Sequence, residues 1–279
     1  MSLHPQVTEL FSLSGKVAVV TGGAGLLGYK HCEIIAAAGG IPVLLDLDLD
    51  KINDCVNRLN RQFGVRAFGM RTDITRTEEV KTAFHTILKH HNQVDILINN
   101  AAIDAKVSGQ EKKGFKRVEN LSMEKWDIEL GVGLKGAFIC SQIFGAEMAK
   151  KGSGVILNIG SEYGVNGPDQ RLYFVEGLEE AEQPVKPVTY TVVKSGLIGM
   201  TRYLAIYWGA KGVRVNLVSL AGVRCGQSEE FVKRYIQQVP LGRMAEPDEY
   251  QGTVLYLCSD SSKFLTGVNL VIDGGKSCW

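Results

Sequence analysis

At 279 residues, 45% hydrophobic and 22% charged, the chain has the length and composition of a large α/β domain and not of a disordered or fibrous protein. A formal net charge of +1 excludes the broad basic field that binding a phosphate backbone demands, so nucleic acid is not an expected partner. Six cysteines (Cys32, Cys55, Cys140, Cys225, Cys258, Cys278) without a C-x-x-C pair, and five histidines without H-E-x-x-H, signal neither a disulfide framework nor a metal site.

The thiols are expected to be reduced and mostly buried. The first residues lack the basic-then-apolar pattern of a secretory leader and no run of about 18 apolar residues follows, so no membrane segment is expected and the expected compartment is the cytoplasm. No low-complexity linker or fixed-period repeat interrupts residues 1–279, which read as a single domain.

In chain order, residues 16–21 (KVAVVT) are a short β-branched strand, and 25–38 carry helical periodicity that stops at Gly39-Gly40. A second strand at 42–45 runs into Asp46, followed by a helix over 49–62, a strand over 65–69 and a helix over 77–90. Strands alternating with helices of this length imply parallel β-α-β units buried on both faces. Right-handed crossovers then give the fold class: α/β, one doubly wound parallel sheet (Rossmann fold) with helices on both faces. Helices over about 122–150 and 189–211 carry apolar residues on more than one face, including Phe138, Ile139, Ile143 and Phe144, and Leu197, Leu204, Ile206 and Trp208. That excess predicts a homodimer or homotetramer.

The strand-to-helix turn Thr21-Gly22-Gly23-Ala24-Gly25-Leu26-Leu27-Gly28 puts glycines where a chain must turn sharply and let a pyrophosphate approach its amides. Gly22, Gly25, Leu26, Leu27 and Gly28 are therefore candidate dinucleotide contacts. Asp46 ends the second strand, where a carboxylate can accept from an adenosine ribose and repel a 2′-phosphate, which favours NAD over NADP; alternatively it caps the next helix alongside Asp48 and Asp50. Tyr190 and Lys194 leave one face of one helix at a spacing that lets them meet. A phenol titrates near pH ~10, so a neighbouring ammonium is what makes its anion accessible at neutral pH. Ser161 follows a fifth strand and offers a fixed hydroxyl donor.

Taken in order, these segments resemble the short-chain dehydrogenase/reductase family, from residue 16 to the Val271-Ile272-Asp273-Gly274-Gly275 ending. The resemblance implies an NAD-dependent oxidoreductase acting on a small-molecule alcohol or ketone. It implies that Ser161, Tyr190 and Lys194 are catalytic, that Tyr190 and Lys194 also touch the cofactor, and that Asp73 and Ile74 hold the adenine. Asn99 would steady the central strand beside the cofactor, with Asn100, Ala101 and Ala102 lining its site, and the Val223 backbone would bond the nicotinamide carboxamide. Read as residues alone, Asp73 equally suits a turn, and Asn99 and Asn100 a strand end.

Three departures stand out. The glycines follow T-G-x-x-G-x-x-G, the spacing of a longer nucleotide-sugar branch that includes epimerases retaining NAD. The Asn that holds a proton-relay water in the family aligns with Gly133, a feature that also suits a non-catalytic NAD-binding protein. Leu220-Ala221 replaces the usual Pro-Gly. The stretches Gly145 to Lys150, Pro168 to Tyr173, Gln183 to Tyr190 and Pro240 to Ala245 are similar to flagellin-modification dehydrogenases linked to nonulosonic-acid sugars, which implies a sugar, sugar phosphate or nucleotide sugar as substrate.

Ser161 and Tyr190 are also further apart than the family usually allows. Residues 162–187 are expected to form an inserted loop covering the substrate, with Arg171 and Lys186 facing an anionic group or, for Arg171, pairing with the insert's own carboxylates. Residues 106–117 offer a second basic wall or a solvated loop. Tyr163, near Ser161 but without a lysine four residues later, is the decoy tyrosine.

Overall fold

The computed structural model describes residues 4–103 and 117–278. A short helix α1 (Pro5–Phe11) precedes β1 (Val17–Thr21), α2 (Leu26–Ala37), β2 (Ile41–Asp46), α3 (Leu49–Phe63), β3 (Phe68–Arg71), α4 (Thr77–His91) and β4 (Ile96–Asn99). Then come α5 (Met123–Leu130), a wide π-type turn (Gly131–Gly136), α6 (Ala137–Lys151), β5 (Gly154–Ser161), α7 (Val188–Gly209), β6 (Val213–Leu220), α8 (Glu229–Ile236), α9 (Gln251–Cys258) and β7 (Asn269–Ile272).

Among the described residues, seven strands form one sheet in the order β3-β2-β1-β4-β5-β6-β7, and every pairing is parallel. The strand period of two divides each strand between two cores. Ala18, Val20, Leu44, Ile98 and Leu157 enter one apolar cluster with Ile35 of α2, Leu59 of α3 and Leu257 of α9. Val17, Val19, Val43, Leu97 and Ile156 enter the other with Ile87 of α4, Phe144 of α6 and Trp208 of α7. Both faces being covered explains why β1 reads as an unbroken apolar run. From β1 the chain winds outward to β3 and returns to β4, which opens a crevice beyond the carboxyl ends of β1 and β4, where doubly wound sheets bind ligands.

Most expected elements appear within a residue or two. The third strand begins later than its apolar residues suggest, because Asn60 captures the chain first. Its Oδ1 accepts from Ala67 N at 2.6 Å and its Nδ2 donates to Ala67 O at 3.3 Å, so the ladder starts only at Phe68. Asp48 caps α3 by accepting from Lys51 N at 3.1 Å, which removes that role from Asp46. Of the cysteines, Cys32, Cys55, Cys140 and Cys258 are buried, Cys225 and Cys278 are exposed, and all six are free.

The continuous helical stretch Met123–Lys151 is long and apolar enough to cross a membrane, against the sequence expectation, but half of its apolar window is buried, as in a core helix. On its outer side Phe138 is 46% exposed, and on α7 Tyr203, Ile206 and Tyr207 are 66%, 85% and 57% exposed, so the apolar excess is a surface feature of both helices.

Behind the first turn of the fold, α2 buries His31, and neither ring nitrogen meets a hydrogen-bond partner. Burial pushes its pKa down to about 4, with Asn100 opposing weakly. The unfolded chain takes up this proton near pH ~6.5 and the folded chain only near 4, so the unfolded state binds more protons between those values. Stability should therefore fall as pH drops from about 6.5 to about 4, with no further loss from His31 below that. Urea midpoints across this range should slope less in His31→Gln than in the parent; equal slopes would show that His31 does not carry the effect.

Candidate active site

The glycine turn is built by close approach. Gly22 has φ +61°, and a Cβ on it would lie 3.0 Å from Ala101 Cα; a Cβ on Gly28 would lie 2.0 Å from the Gly22 carbonyl oxygen. No larger residue fits Gly28 without moving backbone. Asn100 locks the turn to β4: its Nδ2 donates to the Thr21 and Gly22 carbonyls at 3.0 and 3.1 Å. Thr21 Oγ1 accepts in return from the amides of Asn100 and Ala101, both at 3.1 Å. Gly25 caps α2 with no side chain, leaving the helix N-terminus open to an anion at Leu26 and Leu27.

Asp46 faces this turn from the end of β2. Its Oδ2 accepts from Ala24 N at 3.0 Å and its Oδ1 from Leu47 N at 2.7 Å, so the carboxylate is fixed beside the helix start. Asp73 is held by Thr75, whose amide and hydroxyl both donate to its Oδ1, and that hydroxyl contact first of all lowers its pKa. Ile74 is buried against Gly136.

These groups line one crevice of about 1770 Å³. Following the strand order, Asp73 and Ile74 after β3 and Asp46 after β2 lie towards one end, Gly22, Gly25, Leu26, Leu27 and Gly28 after β1 and Asn100, Ala101 and Ala102 after β4 the middle, and Ser161, Tyr190, Lys194 and Val223 the far end. Asn99 is not among them. It is buried, donating to Ser141 Oγ at 3.0 Å and Asn158 Oδ1 at 2.8 Å, while Asn158 donates to Thr201 at 2.8 Å. These bonds cross-link β4 and β5 to α6 and α7.

At the far end, Ser161 Oγ accepts from Tyr163 N at 3.2 Å. Lys194 is buried, donates to Ile159 O at 2.8 Å, and lies 5.7 Å from the centre of the Tyr190 ring. Lys186 stands closer, 4.0 Å from that ring centre. Tyr163 meets Tyr190 edge-on at 6.3 Å and shares a 3.3 Å hydroxyl contact with Tyr173; burial raises its pKa, so it stays a neutral phenol. Gly133 lies in the π-type turn, and a Cβ there would lie 2.5 Å from Val193 Cγ1, so Val193 fills the space of a relay side chain.

Residues 162–187 wall the crevice through Leu172, Tyr173, Phe174, Pro184 and Lys186. Arg171 does not join them: it points outward, 90% exposed, pairing with Asp169 at 2.9 Å. Residues 106–116 lie outside the described residues, and Arg117 bonds Glu180 of the same wall at 2.7 Å. The sequence reading missed Glu162, Tyr235 and Lys276. Glu162 is buried beside Ser161, and its Oε1 accepts from Tyr235 at 2.8 Å and Lys276 at 3.0 Å. Burial raises the Glu162 pKa, Lys276 opposing. Only adjacency to Ser161 hinted at it; nothing in the sequence joins Lys276 to that place.

Residues 16–174 match the family model described as short chain dehydrogenase, and residues 178–277 match one described as Enoyl-(Acyl carrier protein) reductase. The chain belongs to the short-chain dehydrogenase family. It is an oxidoreductase that uses a nicotinamide cofactor, and the turn at Gly22 and Gly28, closed to any Cβ, fits the approach of a dinucleotide. An NAD-dependent glycerol dehydrogenase of Listeria innocua is 32% identical over 273 residues, 95% of each chain. A D-threitol dehydrogenase of Mycolicibacterium smegmatis is 30% identical over 95% of this chain and 94% of its own. A solved short chain dehydrogenase from Leptospira borgpetersenii with bound NAD+ superposes with a TM-score of 0.80 at 32% identity, over 99% of this chain and 97% of that one.

Gly28→Ala should weaken dinucleotide binding at least about tenfold while the protein still folds, measured by titrating NADH fluorescence; unchanged binding would show that the turn does not hold the cofactor.

Proposed function

We propose that this short-chain dehydrogenase transfers hydride reversibly between NAD and a secondary alcohol or ketone of a polyhydroxylated small molecule. The observation that carries the reading is that Ser161, Tyr190 and Lys194 open onto the same crevice as the glycine turn and Asp46. Bound NAD supplies the hydride acceptor. Tyr190, as the anion, takes the hydroxyl proton; Lys194 favours that anion; Ser161 donates to the substrate oxygen as its charge changes. Asp46 supports NAD over NADP, because a carboxylate fixed by two amides would face a 2′-phosphate with like charge.

The chain acts as one domain, with residues 162–187 as the substrate cover. A polyol or sugar substrate is supported by relatives named for glycerol and D-threitol. A nonulosonic-pathway sugar is the finer choice, because three of the four stretches that resemble those dehydrogenases contribute walls here: Leu172 and Tyr173, Lys186, and Met244. The exposed Phe138, Tyr203, Ile206 and Tyr207 support a homodimer or homotetramer, and the cytoplasm is the proposed compartment.

Tyr190→Phe should lower turnover by at least about a hundredfold with NAD binding retained, read as NADH absorbance with glycerol, D-threitol and a panel of sugar phosphates. An active Tyr190→Phe enzyme would refute the assignment, whereas tightly retained NAD without net NADH would support an epimerase. In a second test, Asp46→Ser should shift the ratio of kcat/KM for NAD over NADP by at least about tenfold towards NADP; an unchanged ratio would remove Asp46 from cofactor choice.

A further inference from the structure

Lys186 enters the active end from the insert, not from α7. Gln170 clamps its peptide on both sides: Lys186 N donates to Gln170 Oε1 at 2.9 Å, and Gln170 Nε2 donates to Lys186 O at 3.1 Å. The next residue, Pro187, is the N-cap of α7, and its carbonyl accepts from Tyr190 N at 3.2 Å. A clamped peptide, a proline of fixed φ and the first turn of a helix therefore join Lys186 to Tyr190 with little freedom. The ammonium rests 4.0 Å from the centre of the Tyr190 ring, against 5.7 Å for that of Lys194.

We propose that Lys186 is a positioning residue acting through Tyr190, its ammonium on the ring face stabilising the phenolate alongside Lys194. This rests on Tyr190 being the acid/base group. A cation on the face of a neutral phenol gains only the attraction of the ring quadrupole. Once the phenol ionises, charge spreads into the ring, and a Coulomb attraction adds to it. The difference between the two states favours the anion. Lys194 is committed to the Ile159 carbonyl as well, and the relay position is closed by Val193, so a second cation strengthens what the helix alone supplies.

Other charged and titratable groups stand around this end of the crevice. Tyr163 meets the ring edge-on and is kept neutral by burial. Glu162 accepts from Tyr235 and Lys276, and Glu129 of α5 accepts from Thr189. Asp127 of α5 and Lys135 of the π-type turn line the same crevice.

The full chain, labelled at the tyrosine ζ carbon and saturated with NAD, should be titrated by NMR, with the Tyr190 signal identified by its loss in Tyr190→Phe. Lys186→Met should raise the Tyr190 midpoint by about half a pH unit or more, roughly a threefold loss of phenolate at fixed pH. Lys186→Arg should keep the parent midpoint, and Lys186→Glu should raise it beyond Lys186→Met. Coincident curves for the parent and Lys186→Met, or an arginine variant that behaves like methionine, overturn the proposal and leave Lys186 to packing or to a substrate anion. Because the readout needs no turnover, its failure is distinct from that of the catalytic reading, which fails on an active Tyr190→Phe enzyme.

Discussion

The approach of Gly28 to the Gly22 carbonyl is the constraint on which the crevice depends. A single methyl at Gly28 would sit 2.0 Å from that oxygen, so α2 can start where it does only without a side chain there. Because α2 starts there, its open N-terminus, the Asp46 carboxylate and the end of β4 converge on one space. Asn100 and Thr21 then fasten the turn to β4 through four hydrogen bonds, each worth about 1 kcal/mol net, and the turn cannot drift from the strand that carries Ala101 and Ala102.

The other end of the crevice is set by buried polar groups more than by backbone. Asn99, Ser141, Asn158 and Thr201 form a chain of side-chain bonds through the sheet into α6 and α7, fixing the helix that carries Tyr190 and Lys194 against the strand that ends in Ser161. Glu162 does the same on the outer side. With Tyr235 bonding both its carboxylate and, through the phenol oxygen, Gly222 N at 2.6 Å, it ties the residue after Ser161 to the loop after β6 and to α8, while Lys276 brings in the C-terminal turn. Such pairs are costly to desolvate, and removing one partner leaves the other buried and unpaired. Their value is geometric: they hold four separate segments around one end of the crevice.

Residues 162–187 wall one side of the crevice without joining the sheet. The segment forms short turns and no strand, its backbone polar groups being met by its own side chains: Gln183 bonds Val175 N, Val175 O and Leu178 O, each at 2.9 Å. Held in this way, it presents aromatic surface at Tyr173 and Phe174 and a lysine at Lys186 to the crevice, while Arg171 turns away to Asp169.

Periodicity and glycine placement determined the sheet, the order of its helices, the glycine turn and the Tyr190 to Lys194 spacing, because these are local properties: alternation along a strand, one face of one helix, a turn that excludes a Cβ. The same locality explains the misses. Asn60 delayed β3 through a bond that no propensity records. Asn99 and Asn100 are adjacent and identical, yet strand alternation sends one into the interior and the other to the crevice. Arg171 and Lys186 looked equivalent as loop cations, and only packing chose between a nearby aspartate and the Tyr190 ring. The meeting of Glu162 with Lys276, 114 positions apart, was decided by the tertiary structure alone, since a contact between distant segments depends on how the layers stack and leaves no periodic trace in the chain.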